Sequence, residues 1–68
     1  MNTIIVGSRS FVVETHAAAE ILRMAAAAHT EGDLEKASRL TRLAARVESG
    51  SVPAAVALQE AQPVSRAA

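Results

Sequence analysis

The spacing of apolar residues changes along this chain, and the changes mark where its elements begin and end. From Glu14 to Thr30, "ETHAAAEILRMAAAAHT", there is no Gly or Pro and alanine dominates. Ala17, Ile21, Met24 and Ala28 recur at helical spacing, and Ala18, Leu22 and Ala25 widen the stripe; this predicts an amphipathic helix. Glu20 and Arg23 fall three residues apart on its polar side, within pairing reach. "EGD" then breaks the pattern: Gly32 suits the left-handed position beyond a helix end, Asp33 is a good N-cap, and Glu35 favours a first helical turn. The second helix is predicted over Leu34 to Ser49, with Leu40, Leu43 and Val47 as its stripe, Ala37 and Ala44 beside them, and Gly50 closing it. So short a loop makes the two helices antiparallel neighbours. Pro53 in a first turn, with Ser51 as its cap, opens a short third helix, "PAAVALQEAQ", which Pro63 ends. Residues 1–62 thus read as one small helical domain, and residues 63–68 as a frayed tail.

The opening stretch, "TIIVGSRSFVVET", supports three readings. "TIIVGSRSF" is similar to the first strand and phosphate-binding turn of some Rossmann-like proteins, but G-x-G-x-x-G is missing and 68 residues cannot build a doubly wound sheet. A β-hairpin would pair Ile4, Ile5 and Val6 with Phe11, Val12 and Val13 across "GSRS". An extended arm capped at Ser10 would instead lead into a long helix from Phe11. Val13 continues the stripe of Ala17 and Ile21, and neither "IIV" nor "FVV" alternates strictly, so the period favours the arm, with the hairpin close behind. The fold class expected is therefore all-α, an antiparallel helical hairpin plus a short third helix, with a short N-terminal β-hairpin as the variant.

Composition then adds a constraint. The chain has 68 residues, half of them hydrophobic, but many of those are alanine, and the only aromatic is Phe11. Chains of this size bury about 60% of their unfolded surface and are marginal alone. There is no cysteine, hence no disulfide to compensate. The expectation is a homo-oligomer, most simply a dimer, packed as a bundle. Its self-association face would comprise Ile4, Ile5, Val6, Phe11, Val13, Ile21 and Met24. Seven basic and seven acidic residues cancel, which argues against a general polyanion binder. No apolar run approaches the ~18 residues of a membrane span, and the start lacks the basic region of a secretory signal. A cytoplasmic location is the default expectation.

Catalytic and metal chemistry find little support. His16 and His29 are thirteen residues apart, so they form no helical ligand pair. His16 and Glu20 at i, i+4 read as a surface pair, and His29 as a group facing the end of the helix dipole. No serine has an implied histidine partner, and Glu31, Asp33 and Glu35 read as capping residues. The expectation is a non-enzymatic protein without a cofactor. The most specific polar feature is Lys36, Arg39, Arg42 and Arg46, which fall within roughly a third of the second helix's circumference. A solvated face, supported by Glu35 and Arg39 at i, i+4, is the plainer explanation. A docking ridge for an acidic protein surface is the functional one, and a phosphate backbone ranks behind it because aromatics for stacking are missing.

From Ile21 through Ala44, "ILRMAAAAHTEGDLEKASRLTRLA" resembles one tetratricopeptide-type helical hairpin. Gly32 and Asp33 occupy its turn, Ala37 and Ala44 its small positions after the turn, and Ala25 the one before it. Its aromatic positions hold Ile21, Ala28 and Thr41, and its closing proline is Ser49 or displaced to Pro53. The resemblance implies peptide or protein binding, with Lys36, Arg39 and Arg42 as contacts. A strand before two helices is also similar to ribbon–helix–helix repressors and antitoxins, whose paired strands read the DNA major groove with polar side chains; "TIIVGSR" is more apolar than such a reader. The reading favoured is an adaptor, inhibitor or regulatory subunit acting as a homodimer, with the DNA-binding regulator second.

Overall fold

A computed structural model describes residues 1–62; the tail expected at 63–68 lies outside the described residues. The elements in order are β1 (Asn2–Val6), β2 (Arg9–Val13), α1 (His16–Thr30), α2 (Leu34–Glu48) and α3 (Ala54–Ala61). The opening stretch is a β-hairpin, not an arm leading into a long helix: β1 and β2 are antiparallel, with Ile4 opposite Phe11 and Val6 opposite Arg9. The reversal takes two residues, Gly7 and Ser8, rather than all of "GSRS". Gly7 holds φ at +64° while Ser8 keeps a negative φ, the sign pattern of a type II′ turn.

The hairpin prevails over the continuous helical period for a packing reason. Pairing aligns Ile4, Val6 and Val13 on one face, where all three are buried against the helices. A helix begun at Phe11 would leave Ile4 and Val6 without that cover. Phe11, Val12 and Val13 are aromatic or β-branched, the types that favour a strand over a helix. The other face carries Thr3, Ile5, Ser10 and Val12, all exposed. Ser10 accordingly lies in β2 opposite Ile5, and the N-cap of α1 is Thr15.

The helix boundaries follow local chemistry. At the end of α1, Gly32 at φ +87° lets its own N–H donate to the His29 carbonyl at 3.0 Å, while Asp33 N–H donates to the Ala28 carbonyl at 2.9 Å. This is a Schellman closure. The Asp33 carboxylate then accepts the Lys36 N–H at 3.2 Å and caps α2. Gly50 closes α2 in the same way, with Ser51 N–H donating to the Arg46 carbonyl at 2.8 Å. Ser51 does not cap α3, whose N-cap is Pro53, without a side-chain hydrogen bond.

Helix α1 is the centre of the molecule. β1, α2 and α3 all pack on it, and Ala17, Ala18, Ala19, Ile21, Leu22, Ala25 and Ala28 are buried there. Small side chains let these neighbours approach closely, so one copy closes its own core. This corrects the expected self-association face: Ile21 is 0% exposed, and Ile4, Val6 and Val13 are also interior. Phe11 and Met24 are half-buried against the core, and only Ile5, 61% exposed, stands open on the surface.

Candidate functional site

Two grooves meet at Arg42. The larger, about 540 Å³, runs between β2 and α2. Its α2 wall is the stripe Leu34, Ala37, Ser38, Thr41, Arg42 and Ala45, spaced three and four residues apart. Most of these side chains are small, and they leave open the space that the hairpin overhangs. The β2 wall is Arg9 and Phe11, two residues apart and therefore on one face of the strand. The Arg9 guanidinium lies over the Phe11 ring, 5.3 Å from its centroid, a cation–π arrangement. His29, in the last turn of α1, closes one end. Its imidazole rests so near Gly7 that a Cβ there would fall 2.6 Å from Nε2. None of the residues lining this groove is Asp or Glu.

The second groove, about 220 Å³, lies where α2 meets α3 and is lined by Arg39, Arg42, Arg46, Leu40, Leu43 and Glu60. Three of the four basic residues singled out by spacing thus converge on one depression; Lys36, half-buried near the start of α2, does not line it. Among the described residues, the ion pairs are Glu20 with Arg23 at 3.5 Å and with His16 at 3.9 Å. The expected Glu35–Arg39 pair does not form, and none of Lys36, Arg39, Arg42 and Arg46 is paired within the described residues. Leu40 and Leu43 form the apolar part of the same groove.

The remaining acidic feature is structural. Glu48, at the end of α2, accepts the Glu14 N–H at 3.0 Å and the Thr15 N–H at 3.1 Å. The Glu14 N–H chiefly, and then the Thr15 hydroxyl and N–H, hold the Glu48 carboxyl below its ordinary value. The carboxylate ties the end of α2 to the start of α1, where negative charge is favourable. Among the described residues no group of three or more His, Cys, Asp or Glu is placed to hold a metal ion, and no helix is long and apolar enough to cross a membrane.

Spacing along α2 identified the arginines but not the groove beside them. Arg9 and His29 were missed as site residues, and Phe11 was assigned to the self-association face instead of this groove, because their proximity depends on the hairpin turning back toward α2. Once β1 is paired with β2, the i, i+2 spacing of Arg9 and Phe11 is the signal for half of it. Comparison with protein-family models, curated proteins and solved structures finds no match to this chain.

Proposed function

We propose that this chain is a non-enzymatic protein-binding module, acting as a homodimer, that docks an acidic protein surface on the cationic ridge of α2. The observation that carries the reading is the convergence of Arg39, Arg42 and Arg46 on one exposed groove, without an ion-pair partner among the described residues. Guanidiniums without an internal partner offer planar forks that match carboxylates. Such rim charges accelerate encounter and choose partners more than they add affinity. The dimer contact falls to the outward face of the hairpin, where Ile5 and Val12 are exposed. Among the described residues neither histidine hydrogen-bonds a hydroxyl, an arrangement that suits binding rather than nucleophilic catalysis.

The ribbon–helix–helix alternative is weaker on two counts. β1 pairs along one edge with β2 of its own chain, where a ribbon reader pairs with a second copy, and the outward strand face mixes Ile5 and Val12 with Thr3 and Ser10 instead of presenting polar readers. One experiment addresses both. Partner capture is compared between the natural chain and Arg39→Glu/Arg46→Glu, and a DNA duplex is tested at low salt. Loss of the partner on charge reversal is expected, with no DNA retention. A partner held equally by the reversed variant overturns the docking reading. DNA retention whose salt dependence falls in Arg39→Ala restores the regulator.

A further inference from the structure

We propose that the cleft between β2 and α2 is a binding site for an oxyanion carried on an apolar body, an organic phosphate or carboxylate. The cleft exists because Ala37, Ser38 and Ala45 are too small to reach the overhanging strand. Its walls are chemically divided. Arg9 and Arg42 bring two guanidiniums, His29 an imidazole, and Ser8 and Ser38 hydroxyls, while no carboxylate lines the cleft. In a chain whose charges cancel overall, that is a local excess of positive charge without an internal counterion. Phe11 and Leu34 supply the apolar part, and Leu34 is 59% exposed at the rim, a large side chain that a ligand's body would cover. The volume of about 540 Å³ falls within the roughly 300–1,000 Å³ of small-molecule pockets.

Arg9 is prepared for this task. Its guanidinium carbon lies 5.3 Å from the centroid of the Phe11 ring, so one aromatic neighbour attracts the cation while its N–H groups make no hydrogen bond within the described residues and can donate to a phosphate or carboxylate oxygen. The His29 imidazole sits against Gly7, so the end of the cleft is shaped by the same turn that aims β2. The Thr41 hydroxyl, by contrast, already donates to the Ala37 carbonyl at 2.8 Å and has no proton left for an anion. The inference shares Arg42 with the docking reading but does not rest on it, because Arg9, Phe11 and Ser38 lie off the ridge.

The test is a titration of the isotope-labelled full chain with phenyl phosphate and with phenylacetate, followed by amide chemical shifts. Saturable shifts are expected at Ser8 to Phe11 and at Ser38 to Arg42. Inorganic phosphate and phenol, each half of the ligand, are expected to bind at least about tenfold more weakly. Arg9→Gln, an exposed position, is expected to weaken phenyl phosphate by about tenfold, the loss of one charge-assisted hydrogen bond. Ser38→Leu, which fills the cleft from an exposed helical position, is expected to abolish binding, and Arg23→Gln, in neither groove, to leave it unchanged. Acetyl-Ala-phosphotyrosine-Ala-amide separates the two sources of the same chemistry. Tighter binding than phenyl phosphate assigns the occupant to a protein partner, and equal or weaker binding to a free small molecule; either supports the site. Failure of both aromatic acids to saturate, inorganic phosphate binding as tightly as phenyl phosphate, or binding undiminished in Arg9→Gln overturns it. Because partner capture is tested through Arg39 and Arg46, a failure here leaves that result standing, and the reverse.

Discussion

At Gly7 one backbone angle aims a whole wall of the larger cleft. Its φ of +64° sets the turn, and its missing Cβ admits the His29 ring. Gly7→Ala therefore meets two penalties, the left-handed backbone and the displaced imidazole. The first alone costs about 1–2 kcal/mol. A lowered thermal midpoint is expected, and adding His29→Ala should recover only the steric part. Glu48 gives a pH-dependent counterpart. Its carboxyl titrates lower in the folded protein than its ordinary value of 4.5, chiefly through the Glu14 N–H. The stabilisation is thus fully present above about the unfolded value and is lost as pH falls through the folded one. Across that acid window the melting temperature of the natural chain should fall more steeply than that of Glu48→Gln. Parallel curves would deny Glu48 the role. The cap at Asp33 and the glycine at position 32 were legible in sequence because their partners lie within a few residues. Glu48 was not legible, because it reaches across 34 positions to Glu14.

Among the elements, the two main helices were readable outright, while the hairpin was legible only as one of two competing readings, and the reason is the kind of residue involved. The stripe of α1 is unbroken from Ala17 to Ala28, and every residue of it but Met24 is buried. Residues 11–13 fit both periods, and the choice was made by what Ile4 and Val6 needed, a tertiary cause. The core-facing and outward residues of these elements should respond very differently to mutation. Leu22, 1% exposed, loses packing and leaves a cavity on change to Ala, a cost of about 2–5 kcal/mol. Domains this small hold only about 3–5 kcal/mol in reserve, so Leu22→Ala should be largely unfolded by circular dichroism. Ile5→Ser on the outward strand face should shift the unfolding midpoint by less than about 0.5 kcal/mol at dilutions where copies are separate.

At the scale of the molecule, one copy is a slab of 38 × 27 × 15 Å, little more than two layers of secondary structure thick. The alanines that suggested a bundle between copies are used inside one copy, so the case for a dimer moves from α1 to the hairpin. There Ile5 and Val12 are both more than half exposed on the outward face of a two-stranded ribbon whose other face is buried against the helices. Each of its strands also has an outer edge with backbone donors and acceptors that no third strand takes up among the described residues, the arrangement that invites another chain to add. A second copy placed on that face would cover the apolar pair from the side opposite Arg9 and Phe11 of the larger groove. Sedimentation of the natural chain should then give a dimer whose melting temperature rises with concentration. Ile5→Lys, which puts a charge on that face without touching the core, should give a monomer that still binds phenyl phosphate. A natural chain that sediments as one copy, with a concentration-independent melt, would leave the hairpin face uncovered and remove the dimer from the proposed function.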